Sequence, residues 1–219
     1  MALKKQRGNM YEFVTHMWSP IKGKCSHDCS YCYMKRWKLP PLHIDKKEMR
    51  TNLGEGNFIF VCHTCDMFAE DVPKEWITRV LSKCQNYFNS YLFQTKNPSR
   101  LFEFLESYPP KRVYGTTIET NRNIVKTNAP PVFERAKALS ELRRIKQTTM
   151  VTIEPIFDFD LDDLVELVVL ANPEWVNIGA DSKGHNLPEP SAEKVKMLIE
   201  ILQEKTTVKL KRNLQRIYR

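Results

Sequence analysis

Short β-branched and aromatic runs alternate along this chain with segments of helical periodicity, and that alternation limits the folds open to it. The strand-like runs are Tyr11–Met17, Phe58–Cys62, Tyr91–Thr95, Arg112–Thr117, Thr148–Ile153 and Trp175–Gly179. Helical segments lie between most of them. Pro73–Lys83 sets Trp76, Ile77, Val80 and Leu81 on one stripe, and Pro98–Ser107 opens on a proline. Val132–Arg144, Leu161–Leu170 and Ser191–Glu204 follow, the last with Ser191 as a cap and Glu193 close by.

Strand–helix alternation builds a mostly parallel sheet with right-handed crossovers. Six such units in 219 residues are too many for a two-layer ferredoxin-like domain. They fall short of a closed eight-unit barrel of about 250 residues. The expected fold is α/β: an open, partial β/α barrel of six β/α units, with a doubly wound sheet as the alternative. A further short strand, Thr207–Leu210, is expected at one edge. In either architecture, functional groups collect at the C-terminal ends of the strands. The sequence sets His16, Asp66, Lys96, Glu119, Glu154 and Asp181 there.

No repeat and no Gly/Ser linker divides the chain, so residues 1–219 are expected to form one domain, and 42% hydrophobic residues suffice for its core. The apolar run Leu164–Ala171 is far shorter than the roughly 20 residues that span a bilayer. The first residues, MALKKQRGNMYEF, carry charge without an apolar segment behind it, unlike a secretory signal. The expectation is a cytoplasmic protein without membrane attachment. The net charge of +8 is unevenly spread. Residues 1–50 carry +7, residues 205–219 carry +6 with no acid, and the body carries −5. Basic ends on an acidic body suit either a polyanion-binding surface or plain solubilisation.

Five of the six cysteines fall into two tight groups. The first is Gly23-Lys24-Cys25-Ser26-His27-Asp28-Cys29-Ser30-Tyr31-Cys32-Tyr33, a Cys-x3-Cys-x2-Cys spacing just after the first strand. Three thiolates so close can face one point only by wrapping around it, and soft thiolates select zinc or iron–sulfur clusters. Structural zinc usually takes four protein ligands. Three cysteines in one loop suit a [4Fe-4S] cluster with one iron open; His27 as a fourth ligand would instead make a zinc knuckle.

With Tyr31 before its last cysteine, this loop resembles the Cys-x3-Cys-x-aromatic-Cys signature of the radical S-adenosylmethionine (SAM) superfamily. Its surroundings, Ser19-Pro20-Ile21-Lys22-Gly23 and Tyr31-Cys32-Tyr33, resemble the spore photoproduct lyase-like branch. They also resemble a group of short phage- and prophage-associated radical SAM proteins. That likeness extends through Thr15–Pro20, Val61–Phe68, Gln94–Pro98, Gly115–Glu119, Thr152–Pro155 and Trp175–Gly179. The resemblance implies a partial six-fold β/α barrel and a cluster held by Cys25, Cys29 and Cys32. It implies SAM chelating the open iron, and an electron donor such as a flavodoxin or a ferredoxin. Reductive cleavage would give methionine and a 5′-deoxyadenosyl radical that takes hydrogen from a substrate.

The same resemblance implies the SAM contacts. The family carries a Gly-Gly-Glu-like segment after the second strand; here Cys62-His63-Thr64-Cys65-Asp66 stands there, and Asp66 takes the acid's place. Thr117 and Glu119 after the fourth strand, and Thr152 and Glu154 after the fifth, are placed for the ribose or methionyl group. Tyr31 is placed for the adenine. A cationic sulfonium favours carboxylates nearby, though Glu119 and Glu154 equally suit acids that cap the next loop. Lys96 and Asp181 share those strand ends as candidates for SAM or substrate.

Three readings meet at Cys62 and Cys65: buried core cysteines, a thiol hydrogen-atom donor as in the lyase resembled, or ligands of a second metal with His63. Cys84 reads as a small apolar helix residue. Lys22, Lys24, Lys35, Arg36 and Lys38, interleaved with Tyr31, Tyr33 and Trp37, make nucleic acid a candidate substrate. The alternative from a different class is a non-catalytic zinc-binding nucleic-acid module.

Overall fold

Each of the six runs expected as strands contains one, with ends that shift by one residue at most except in the first, which starts at His16. The computed structural model describes residues 3–218. The chain divides into two compact units: residues up to Tyr114 with Thr127–Ala129, and Gly115–Lys126 with Pro130 onward.

The first unit runs β1 (Lys4–Lys5), β2 (His16–Trp18), β3 (Ile21–Lys22), β4 (His43–Ile44), α1 (Lys46–Met49), β5 (Phe58–Val61), α2 (Lys74–Gln85), β6 (Ser90–Gln94), a 3-10 segment at Pro98–Ser107, and the start of β7 (Arg112–Thr117). Its sheet order is β1-β2-β5-β6-β7. The β2–β5 and β5–β6 pairs are parallel, and β1 is antiparallel at the edge. On α2, Ile77, Val80, Leu81 and Cys84 recur at three- and four-residue steps and are all buried, giving the helix one apolar stripe. Each such side chain removed from water contributes about 1.5–3 kcal/mol.

Two features depart from expectation. The crossover from β2 to β5 has no full helix. It holds the cysteine loop, the antiparallel β3–β4 hairpin and the four-residue α1, which Asp45 caps through Lys47 N and Glu48 N. Pro98–Ser107 is 3-10 rather than α, and it kinks at Phe104. Leu101 and Phe104, three residues apart, are buried on one side of it, and the buried Arg100 guanidinium bonds the carbonyls of Ala69 and Val72.

The second unit continues from β7 through α3 (Val132–Arg144), β8 (Thr149–Ile153), α4 (Leu161–Ala171), β9 (Trp175–Ile178), α5 (Ala192–Gln203), β10 (Thr207–Leu210), a 3-10 turn at Arg212–Leu214 and α6 (Gln215–Tyr218). Its sheet order is β7-β8-β9-β10, with β8–β9 and β9–β10 parallel. Ser191 caps α5 through Lys194 N at 3.3 Å. Along β8 and β9, Val151, Ile153, Val176 and Ile178 line one face, and Thr152 and Asn177 lie buried with Met150 on the other. Among the described residues no helix is long and apolar enough to cross a membrane.

Candidate active site

The cysteine loop, part of the first unit, begins and ends at the β3–β4 hairpin. Lys24 N donates to Pro40 O across the neck at 3.0 Å. Gly23 has φ +116°, and a Cβ there would lie 2.5 Å from Pro41 O, so glycine is required at this crossing. Beyond the neck the chain makes two successive turns, Asp28 N to Cys25 O and Cys32 N to Cys29 O, with Asp28 left-handed. Backbone turning thus carries all three cysteines within eight residues.

None of the described cysteines is in a disulfide. Cys29 is buried, and its Sγ lies 3.2 Å from Thr127 Oγ1. Thr127 donates from the same hydroxyl to His27 O at 2.9 Å, and Asn128 N donates to that carbonyl at 2.7 Å. Asn128 Nδ2 reaches Ser26 O. Thr127 and Asn128 therefore clamp the cysteine loop. Sequence reading missed them; the only local signal was a Thr-Asn-Ala-Pro-Pro stretch with turn character.

Cys25 is hydrogen-bonded to Cys65, and this bond lowers its pKa to about 7 against the opposing effect of burial. Cys65 moves the other way because its S–H is held by Cys25. Cys62 is pushed up to about 12 by burial and stays a thiol; its backbone is left-handed and its N–H bonds Trp18 O at 2.7 Å. Cys84 is fully buried on α2. Among the described residues, no three His, Cys, Asp or Glu side chains are arranged to hold a metal ion together. The donor set itself fits an iron–sulfur cluster: three cysteines on one loop, none of them in a disulfide, one of them biased toward thiolate.

Asp66, expected to meet SAM, is a part-buried hydrogen-bond node. It accepts from His27 Nε2 at 3.0 Å, Thr95 Oγ1 at 2.9 Å, Lys96 N at 2.8 Å and Phe68 N at 2.9 Å. Burial opposes its charge, but the His27 bond and the backbone donors hold its pKa below the usual value. Burial likewise works against the His27 cation, and Asp66 overcomes it, so His27 is shifted upward. Tyr31 is buried with Lys96 Nζ 5.2 Å from its ring centroid. Tyr33 donates to His63 O at 3.0 Å and is pushed up to about 12 by burial. His63 sits 2.9 Å from Ser19 Oγ and is pushed down to about 4, first by burial and then by Lys4.

In the second unit the strand-end acids differ in their surroundings. Glu119 is 1% exposed and pairs with Arg135, itself 2% exposed, at 2.8 Å. Arg135 also donates to Thr117 O and Pro130 O. Glu154 is part-exposed and is met by Lys211 Nζ at 2.5 Å and Asn213 Nδ2 at 3.1 Å. Gly179 makes room for it, since a Cβ there would lie 2.9 Å from the Glu154 carboxyl. Thr117 and Thr152 are buried, and Thr152 Oγ1 has no hydrogen-bond partner among the described residues.

Asp181 accepts from Lys183 N, His185 N and His185 Nδ1, the last at 2.8 Å. Sequence reading placed Asp181 but missed His185, four residues on. Arg216 binds Glu189 and the Asp181 carbonyl, so part of the basic C-terminal charge is engaged internally.

No curated protein matches the sequence significantly. Among solved structures, a Cys-to-Ser variant of spore photoproduct lyase superposes with a TM-score of 0.68 at 9% identity, covering 94% of this chain and 79% of that one. A variant of the same lyase solved with bound AdoMet and dinucleoside spore photoproduct gives 0.58 at 10% identity, covering 93% of this chain and 66% of that one. Another, with dinucleoside spore photoproduct, gives 0.60 at 11% identity over 93% and 66%. The chain thus has the α/β fold of spore photoproduct lyase, as the strand–helix alternation led one to expect. A family model matches residues 9–196, and by that match the chain belongs to the family described as protein of unknown function (DUF5131).

Proposed function

We propose that this chain is a radical SAM enzyme in which Cys25, Cys29 and Cys32 hold a [4Fe-4S] cluster. The observation that carries the reading is the cysteine loop itself. Three cysteines at x3 and x2 spacing, none in a disulfide and with Tyr31 between the last two, lie on a loop whose neck at the β3–β4 hairpin requires glycine. The fold shared with spore photoproduct lyase, one structure of which holds AdoMet, supports it. The chemistry such a cluster supplies is one-electron reductive cleavage of SAM, fed by a small donor such as a flavodoxin or a ferredoxin.

The chain's own residues have separate tasks in this reading. In the first unit, Tyr31 offers a ring beside Lys96, and Asp66 orients His27 and the ends of β5 and β6. In the second, Thr117, Thr152 and Glu154 are the proposed SAM contacts, and Glu119 fixes Arg135. Cys62 keeps its proton through burial, the state a hydrogen-atom donor needs, and Cys65 lies beside Cys25. The proposed substrate is a nucleic acid, supported by the basic ends of the chain and by the dinucleoside held by the lyase structures. In the zinc-module alternative His27 would ligate through Nδ1, since its Nε2 is engaged by Asp66.

The test is anaerobic reconstitution with iron and sulfide, then addition of SAM and a strong reductant. Brown protein with about four irons per chain and release of 5′-deoxyadenosine are the expected results. A colourless protein that retains zinc and leaves SAM intact would overturn the proposal. In the Cys62→Ala/Cys65→Ala double variant, iron content is expected to stay at about four per chain. SAM cleavage should persist while conversion of substrate stops. A drop in iron would make the pair metal ligands instead.

A further inference from the structure

Residues 23–42 emerge from the β3–β4 hairpin as one excursion, with the cysteines on its first half. Its second half is the 3-10 turn Tyr33–Arg36, followed by Trp37 and Lys38. The three rings that the sequence interleaves with lysine and arginine have different fates here. Tyr31 is buried, and Tyr33 is turned inward onto His63 O. Trp37 is 57% exposed, with its ring edge-on to Tyr33 at 6.4 Å between centroids. An exposed Trp in a fixed position is uncommon, because its indole is usually among the most buried groups of a fold.

The turn is pinned from several sides. Lys35 N bonds Cys32 O and Trp37 N bonds Met34 O. Lys35 Nζ reaches both Asp28 O at 3.1 Å and Asp28 Oδ1 at 2.9 Å. The turn therefore starts on the last cysteine and is tied back to the loop between the first two. The exposed cations of the excursion are Lys24, Lys35, Arg36 and Lys38, and its only acid, Asp28, is paired with Lys35. Lys22, which looked like part of the same cluster in sequence, is drawn inward to Asp45 and Glu48. Trp37 is thus an exposed indole on an excursion whose exposed charges are mostly cationic.

We propose that the Tyr33–Lys38 turn is the element that engages an unpaired stretch of nucleic acid, with Trp37 stacking on one base and Lys24, Arg36 and Lys38 tracking the adjacent phosphates. Charge complementarity selects a polyanion, and the exposed indole selects one that offers a flat aromatic face. A base inside a duplex is already stacked on both sides, so the preference is for single-stranded or locally opened strands. Hydrogen bonds already hold the turn's backbone, so less ordering opposes binding. This inference rests on the reading of the substrate as nucleic acid and adds to it the contact surface and the strandedness.

The experiment uses the whole protein and labelled single-stranded and double-stranded DNA and RNA oligonucleotides, titrated between about 50 and 200 mM salt. Trp37→Ala is expected to weaken single-strand binding about tenfold or more, while Trp37→Phe, which can still stack, keeps most of it. Duplex binding should change little in either variant. Lys38→Ala should weaken binding across all sequences and reduce the salt slope by about one. Thermal melting should be unchanged, since Trp37 is exposed. If the unaltered protein binds single strands and Trp37→Ala binds them as tightly, the turn is not the contact surface, although the nucleic-acid reading stands. A loss of equal size on single and double strands also overturns it. If the unaltered protein binds no nucleic acid at low salt, or binds only anionic vesicles, both readings fall.

Discussion

Cys29→Ala protein, reconstituted with iron and sulfide, is expected to be colourless and unable to cleave SAM. A cluster with one open iron is held by three thiolates, and removing one leaves only two. Cys29 is the strongest choice because it is the middle ligand of the proposed three and the buried one. Iron should fall from about four per chain toward none. Release of 5′-deoxyadenosine should fall more than about a hundredfold, beyond the 10–100-fold typical of losing a ligand's supporting partner. The fold should survive, since the substitution lies on a loop outside both sheets.

Thr127→Ala is the graded companion. The hydroxyl that sits 3.2 Å from Cys29 Sγ also ties down His27 O, so its loss should weaken iron retention within that 10–100-fold range. Full iron content and normal SAM cleavage in Cys29→Ala would end the cluster assignment. The same result in Thr127→Ala would show only that the clamp is dispensable.

The contrast between these two residues shows what the chain discloses before it folds. The cysteine loop is legible because its information is local: spacing, an aromatic and a glycine within about ten residues. Thr127 is 100 positions from the carbonyl it binds, and nothing near it in sequence marks the connection. The regular elements follow the same rule. α3 spans Val132–Arg144 and β7 spans Arg112–Thr117, as their periodicities indicate.

β2 does not begin at Tyr11. It begins at His16, because Tyr11 and Phe13 stack on each other at 5.5 Å and Tyr11 OH bonds Gln94, which satisfies an apolar run without pairing it as a strand. Pro98–Ser107 has helical periodicity, but the buried Arg100 and the kink at Phe104 impose 3-10 turns. The strand-end acids were legible as positions but not as charges. Whether a carboxylate faces a ligand or an internal cation depends on a partner that only folding brings near, as Lys211 is brought to Glu154.

Glu119 puts that distinction to a direct test, and its removal is expected to be the largest single loss of stability in the second unit. Glu119 and Arg135 are almost wholly buried, so each neutralises a charge that would otherwise sit in a low-dielectric interior. Breaking such a pair by removing one partner costs about 3–5 kcal/mol, because the other charge is left uncompensated. For a chain of this size, each kcal/mol lowers the melting temperature by about 2–4 °C. Glu119→Ala should therefore melt roughly 6–20 °C lower than the unaltered protein. Glu119→Gln keeps a carbonyl for Arg135 and should lose less. Replacing both partners, Glu119→Leu with Arg135→Met, removes the stranded charge and should recover part of the loss. Recovery stays partial because Thr117 O and Pro130 O also lose their donor. A carboxylate that instead binds SAM predicts the opposite pattern: Glu119→Ala would melt within a degree or two of the unaltered protein, and the concentration of SAM needed for half-maximal cleavage would rise. Thermal melting and a SAM titration on the same preparation separate the two, and an unchanged melting temperature would remove the structural role assigned to this ion pair.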